Sequence, residues 1–174
     1  MEYRVRAVRG EDWRKLRELR LAALADPAAD VAFNETYARA AVQDDDFWRR
    51  RAEQGVQGGF AETFIAEDDL GHWLGSVTVL DEGRAVQVVG VYVRPEYRGT
   101  GVSAALFAAV EGWALERADA ECLRLHVHER NVRAEGFYRR QGFERTGAFV
   151  GDPKAPEFRE YEMVRPLRRQ RPGS

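Results

Sequence analysis

The sequence predicts an α+β fold: a mixed sheet of about six to seven strands with helices on both faces. Two observations predict it. Residues 61–93 alternate between apolar and polar side chains, with turn residues between the runs, which is typical of an antiparallel N-terminal meander. Strand patterns at 85–93 and 123–127 then flank an amphipathic helix pattern at 102–118, which is typical of a β-α-β unit with parallel strands.

The N-terminal part is predicted to be one strand followed by helices. Tyr3–Val8 alternates with period two, and apolar side chains recur every three or four residues from Asp12 to Ala25. Two shorter helices are predicted at 34–41 and 44–54. The second begins at a cluster of aspartates, which favour a helix N-terminus, and closes at Gly55.

The rest of the chain alternates strands with two helices. The 102–118 pattern is followed by a helix at 132–141, which ends at Gly142. We expect one domain over 1–167 and a disordered, arginine-rich tail over 168–174. The predicted strands after the first are residues 64–66, 73–80, 85–93, 123–127, 143–149 and 161–164.

Charge and composition exclude several classes of protein. The 174 residues include 27 basic and 29 acidic side chains, a net charge of −2, which is too neutral to predict a nucleic-acid partner. No apolar run is long enough for a signal peptide or a membrane span, so we expect no membrane partner and a cytoplasmic protein. The single Cys122 fits a reducing compartment because it cannot form an internal disulfide.

A glycine-rich turn precedes the helix at 102–118. Gly99 and Gly101 allow a sharp turn and a close approach of backbone amides to a ligand, while the helix N-terminus adds partial positive charge. Arg98 adds a full charge, so the turn could bind a pyrophosphate. Two other interpretations stay open: a dinucleotide-binding G-x-G-x-x-A at 99–104, and a turn without any ligand. A P-loop is excluded by the missing lysine.

A second segment lies about 30 residues farther on. It reads Asn-x-x-Ala-x-x-Phe-Tyr over 131–138 and ends in Gly-Phe at 142–143. Together with Arg-x-x-Gly-x-Ser at 98–103, it resembles the two signatures of the GNAT superfamily of acyl-CoA-dependent N-acetyltransferases. The motifs span 86–143, and the order of elements resembles that family from about Tyr3 to Leu167.

The resemblance implies a GNAT-like sheet and transfer of an acetyl group from acetyl-CoA, as co-substrate, to an amine acceptor by direct attack, without a metal. It implies that Tyr138 protonates the departing thiolate; a phenol suits this task because it can share a proton with a thiolate. The acceptor, a small molecule or a protein α-amino group, is not identified. The residues implied to bind acetyl-CoA are Val91, Val93, Arg98, Gly99, Thr100, Gly101, Val102, Ser103 and Asn131.

The sequence departs from the family pattern at two positions. Ser103 stands where the family has glycine or alanine, and Gln87 stands roughly where many relatives have a glutamate general base. Because glutamine cannot accept a proton, this change favours an amine of low pKa or a water relay ending at another group. It also motivates an alternative function, an acyl-CoA-binding sensor without turnover. The candidate relay ends are Glu35, Glu67, Glu82 and His128.

Three further interpretations concern residues outside the two motifs. His126 and His128 alternate on one strand face near Cys122, where half-buried packing is favoured over a metal site and over lining of the acceptor pocket by His128. Cys122 is not expected to carry the acyl group. By resemblance, residues 33–37, Phe47, Trp48 and the connection 151–158 would surround the acceptor, although core packing also explains the aromatic residues. A homodimer is possible.

Overall fold

The computed structural model describes residues 1–54, 59–117 and 119–168. Its strands are β1 (Tyr3–Ala7), β2 (Ala61–Asp68), β3 (Trp73–Asp81), β4 (Ala85–Val93), β5 (Cys122–His128), β6 (Glu144–Gly151) and β7 (Arg159–Pro166). They form one mixed sheet in the order β1-β2-β3-β4-β5-β7-β6. Among these strands only β4 and β5 pair in parallel; every other neighbouring pair is antiparallel.

Helices cover both faces of this sheet. They are α1 (Trp13–Ala25), α2 (Ala29–Ala32), α3 (Tyr37–Ala41), α4 (Asp45–Glu53), α5 (Val102–Leu115) and α6 (Val132–Arg140). Helices α5 and α6 pack on one face around Leu106 and Phe107, and α1, α3 and α4 pack on the other around Leu19 and Trp48. Within the described ranges, no helix is long and apolar enough to cross a membrane.

The predicted fold class is confirmed, with small differences at element ends. Helix α5 ends at Leu115, three residues before the predicted end, and the one-turn helix α2 was not predicted because four residues are too few to show a period. The predicted helix stop at Gly55 lies outside the described residues, as does the predicted tail beyond Arg168.

Strand β4 contains a bulge at Gly90. Thr78 of β3 pairs with Val89 and Ser76 pairs with Tyr92, so β4 has one residue more than β3 over this interval. Gly90 has φ +62°, a conformation that side chains disfavour. Because of the extra residue, the side chains that pack toward α5 belong to even-numbered residues before the bulge and to odd-numbered residues after it. Val86 and Val88 lie there before the bulge, and Val91 and Val93 lie there after it.

The parallel strands β4 and β5 separate soon after they begin. They pair only over Ala85–Gln87 and Cys122–Arg124. Beyond that point the two strands diverge, so the backbone of Val88–Val93 is released from pairing on the β5 side. The carboxyl ends of parallel strands are where α/β sheets bind ligands, and here a gap opens in the middle of the sheet.

Candidate active site

A cavity of about 480 Å³ lies in the gap between β4 and β5. Its walls are Val88–Val93, Leu125–His128, the turn before α5, the segment around α2 and one side of α6 along its length. The two motifs, about 30 residues apart in sequence, therefore face each other across one space. The predicted site residues that line it are Val91, Val93, Arg98, Gly99, Gly101, Ser103, Asn131 and Tyr138.

The glycine turn has the geometry of an anion cradle. Gly99 and Gly101 have φ of +77° and +91°, which other residues rarely adopt, and Gly101 is the N-cap of α5. Among the described residues no side chain caps this helix, so its first amides depend on another acceptor. An exposed N-terminus of a 14-residue helix beside a cavity suits a phosphate group.

Arg98 stabilises this turn instead of reaching freely into the cavity. Its Nε donates to the carbonyl of Val93 at 2.9 Å, and its Nη2 donates to Oδ2 of Asp26 at 2.6 Å. The Asp26 side chain is only 7% exposed. Desolvation by itself would raise the pKa of its carboxyl, but hydrogen bonds from Ala28 and Arg98 lower that pKa below its ordinary value. Arg98 therefore fixes the end of β4 against the end of α1, and its charge is already partly balanced.

Thr100, Val102 and Ser103 differ in what they present to the cavity. The Thr100 hydroxyl donates to the carbonyl of Tyr97 and so closes the turn. The Val102 side chain is fully buried in the core, which leaves only its backbone for a ligand. Ser103 lines the cavity, so its hydroxyl is placed where a phosphate could accept from it.

Asn131 caps the other helix of the site. Its Oδ1 accepts from the amide of Ala134 at 3.3 Å, and its Nδ2 donates to the carbonyl of Val31 at 3.5 Å. The residue thus joins the start of α6 to helix α2, across the cavity mouth. Arg133 and Arg140 of α6 also line the cavity and were not identified from sequence, because exposed arginines on a helix are common.

Tyr138 is held among aromatic rings on the cavity wall. Its ring centroid lies 6.0 Å from that of Phe107, 5.7 Å from Phe137 and 6.1 Å from Phe143. Burial raises the pKa of Tyr138 to about 12, and its hydroxyl makes no hydrogen bond to any described residue. The phenol is therefore neutral at physiological pH and is available as a donor.

A second cavity of about 390 Å³ adjoins the first on the opposite face of β4. It lies between α1 and the polar face of the sheet. Residues from both sides of the Gly90 bulge, together with Glu160, line both cavities. A molecule in the second cavity can therefore approach one in the first at the bulge.

Gln87 is buried at the predicted general-base position and already has two partners. Its Oε1 accepts from Nε of Arg124 at 2.8 Å, and its Nε2 lies 3.1 Å from Nδ1 of His126. Since arginine only donates, the amide oxygen must face Arg124 and the amide nitrogen must donate to His126. Neutral His126 consequently carries its proton on Nε2, which lies 3.9 Å from Glu162.

The four predicted relay ends are engaged elsewhere. Glu67 accepts from Arg4, Arg6 and Trp73, and these bonds lower the pKa of Glu67 to about 2. Glu82 pairs with Arg124 at the surface. The remaining two are Glu35, whose pKa is lowered by two arginines, and His128, which accepts at Nδ1 from the Arg130 amide and pairs through Nε2 with Asp152 at 3.2 Å.

Glu160 is the acidic residue that sequence reasoning missed. It lies opposite His128 in the β5–β7 register, and its carboxylate makes no hydrogen bond to any residue described here. Burial, with a smaller contribution from Asp152, raises the pKa of Glu160 above its ordinary value. The signal was present as a period-two pattern, because Glu160 and Glu162 face His128 and His126 on one side of paired strands. The predicted strand began one residue too late to include it.

Cys122 lies at the start of β5 and lines neither cavity. Burial raises the pKa of its thiol, which makes it a poor nucleophile. His126 and His128 are each bound to another partner, and the described residues contain no group of three His, Cys, Asp or Glu placed to hold a metal ion.

The region predicted around the acceptor is only partly at the cavities. Phe33 and Glu35 line the second cavity, whereas Trp48 is fully buried in the core and Phe47 packs edge-on against it. In the connection 151–158, Lys154 donates to the carbonyls of Asp30 and Phe33 at 2.8 and 2.6 Å. This connection is therefore hydrogen-bonded to the segment that forms part of the cavity wall, but it does not line either cavity itself.

The chain matches the acetyltransferase (GNAT) family over residues 17–143. That segment includes the bulged strand, the glycine turn, α5, β5 and α6. Since the match covers well over half of the chain, the chain belongs to the acetyltransferase (GNAT) family.

Individual proteins that resemble it include the following three. An aminoglycoside N(6')-acetyltransferase type 1 of Stenotrophomonas maltophilia is 31% identical over 71% of this chain and 76% of its own length. An uncharacterized N-acetyltransferase of Mycobacterium tuberculosis is 35% identical over 53% of this chain, and the match spans only 58% of that relative. The structure of yncA from Salmonella typhimurium, with its cofactor acetyl-CoA, has a TM-score of 0.75 at 16% identity and covers 100% of this chain and 99% of that one.

Proposed function

We propose that this chain transfers the acetyl group of acetyl-CoA to a primary amine by direct attack in a ternary complex. The observation that carries the proposal is the meeting of both motifs at one cavity that opens where β4 and β5 diverge. Bound acetyl-CoA supplies an activated thioester. The glycine turn and α5 N-terminus would hold its pyrophosphate, and the released backbone near Val91 and Val93, with Asn131, would hold its pantetheine arm.

Two side chains would move protons in this reaction. Glu160, at the junction of the two cavities, would take a proton from the amine, directly or through water, as nitrogen bonds to the acetyl carbon. Tyr138 would donate its proton to the sulfur as the carbon–sulfur bond breaks. A thiol in water has a pKa near 8.5, about 3.5 below the Tyr138 phenol, so this donation requires the sulfur to stay in the apolar cavity.

Gln87 supports a second function, the acyl-CoA-binding sensor without turnover. Its amide cannot act as a base, and it is already bound to Arg124 and His126. The presence of Glu160 at the cavity junction favours the enzyme over the sensor, because it supplies a carboxylate that β4 lacks.

Calorimetric titration with acetyl-CoA, followed by thiol release over a panel of amines of graded pKa, tests both functions. The panel includes an aminoglycoside, a polyamine, amino acids and a peptide with a free α-amino group. Binding with turnover supports the enzyme, and binding without turnover over the whole panel supports the sensor. No binding overturns both, because each requires the cradle.

We further propose that the chain acts in the cytoplasm and forms a homodimer. The lone Cys122 suits a reducing compartment. All eight residues of β6 are exposed, including the apolar Phe149 and Val150, and this strand lies at an edge of the sheet, where a second copy could pair. Sedimentation velocity at micromolar concentration tests the dimer, with Phe149→Lys expected to shift it toward monomer.

A further inference from the structure

Two arginines and one glutamate form a charged cluster on the wall of the second cavity. Arg20 of α1 donates from Nε to Oε2 of Glu35 at 2.7 Å. Arg51 of α4 donates from Nη1 to both oxygens of Glu35, at 3.3 and 3.4 Å. The neighbouring arginines lower the pKa of Glu35 and so keep it ionised. The cluster thus holds two positive charges and one negative charge.

The arginines have donors to spare. Arg20 uses only Nε, so neither of its terminal nitrogens has a hydrogen-bond partner among the described residues, although its side chain is only 16% exposed. Its guanidinium lies 4.7 Å from the Phe33 ring centroid, which fixes its plane. Arg51 likewise leaves Nε and Nη2 without a hydrogen-bond partner in the described chain. Free donors on fixed guanidinium groups match the oxygens of a carboxylate.

The opposite charge lies elsewhere in the cavity. Apart from Glu35, the described residues that line it include one carboxylate, Glu160, which also lines the first cavity. The positive charge thus lies on the cavity wall formed by α1 and α4. The carboxylate of Glu160, which has no hydrogen-bond partner among the described residues, lies at the junction where the acetyl group would arrive. A ligand with a negative charge at one end and a positive charge at the other could pair with both the arginines and the carboxylate.

We infer that the acceptor is a small amino carboxylate, with its carboxylate bound by Arg20 and Arg51 and its amine directed to Glu160 at the cavity junction. This inference rests on the proposed acetyltransferase function. An amine with a second positive charge in place of the carboxylate would place that charge against two arginines and bind poorly.

The test compares acceptors that carry the carboxylate with counterparts in which it is amidated or removed. L-amino acids and ω-amino carboxylates of three to six carbons are each assayed beside the corresponding amide and decarboxylated amine. We expect kcat/KM to be about 10- to 100-fold higher for the carboxylates, as a charged hydrogen-bonded pair provides. Binding of the same compounds in the presence of CoA is followed by ligand-observed NMR, which needs no turnover.

Substitutions test which residues cause the preference for a carboxylate. Arg51→Gln and Arg20→Gln should remove the carboxylate preference and leave acetyl-CoA affinity unchanged, while Arg50→Gln, an exposed neighbour on α4, should keep it. Should Arg20→Gln not fold, Arg20→Lys keeps the charge and loses the planar pair of donors.

Turnover without a carboxylate preference, or a preference that survives in both glutamine variants, overturns the inference but does not contradict the proposed acetyltransferase activity. Carboxylate binding without turnover supports the site and overturns the activity, and absence of both overturns both.

Discussion

The Gln87 amide and the His126 imidazole are joined by a hydrogen bond of 3.1 Å whose direction is determined by a third residue. Arg124 donates to the amide oxygen, so the amide nitrogen donates to Nδ1 of His126 and the imidazole proton lies on Nε2. We expect long-range ¹H–¹⁵N correlation spectra of the neutral imidazole to show this single tautomer. In Gln87→Glu, the carboxylate accepts from both neighbours, so a proton should appear on Nδ1. An Nδ1-protonated imidazole in the unaltered chain would contradict this assignment.

Tyr138→Phe should lower kcat by about 10²-fold or more and change acetyl-CoA affinity less than threefold, because it removes a proton donor but keeps the ring. Tyr37→Phe, at an exposed tyrosine outside both cavities, is the matched control. Since burial raises the pKa of Tyr138 to about 12, its required protonated form persists to high pH. The rate should therefore show no basic decline below about pH 10 from this residue. Unchanged kcat in the variant would remove Tyr138 from the acid role.

Gly101→Val should abolish detectable acetyl-CoA binding in calorimetry. A branched side chain at φ +91° strains the turn and fills the space beside the helix amides. Gly83→Val, in the β3–β4 turn at φ +81° with open space around it, introduces similar strain of about 1–2 kcal/mol away from the cavity. We expect both variants to lower the melting temperature equally, and only Gly101→Val to lose acetyl-CoA binding. Retained affinity there would show that the cradle does not bind the phosphates.

Glu160→Gln should lower kcat/KM at pH 7.4 by about 10²-fold for amines of lysine-like pKa, and less for amines of pKa near 8, which are partly neutral already. Glu162→Gln, two residues along the same face of β7, is the control. Because the pKa of Glu160 is raised, its carboxylate takes up a proton at a higher pH than an ordinary carboxylate does when the pH is lowered. Activity should therefore decline on the acid side at a higher pH than an ordinary carboxyl would cause, and this limb should shift in Glu160→Gln. An identical pH profile would assign the proton to another acceptor.

Much of the fold, and the two motifs that meet at the first cavity, could be predicted because the signals are local. A period-two run ending at Val93, a glycine turn at 99–101 and an amphipathic helix from Val102 are each encoded by adjacent residues. Local backbone preference decides such elements, and their order along the chain then restricts the topology to a few choices.

The second cavity, proposed to bind the acceptor, depended on tertiary structure, because it is lined by residues distant in sequence. Arg20 and Arg51 belong to different helices and meet only when α1 and α4 pack over Glu35. Glu160 reaches the cavity junction only because β7 inserts beside β5. Pairwise electrostatics at a few ångströms decides what this cavity can bind, and only the folded chain brings those charges together.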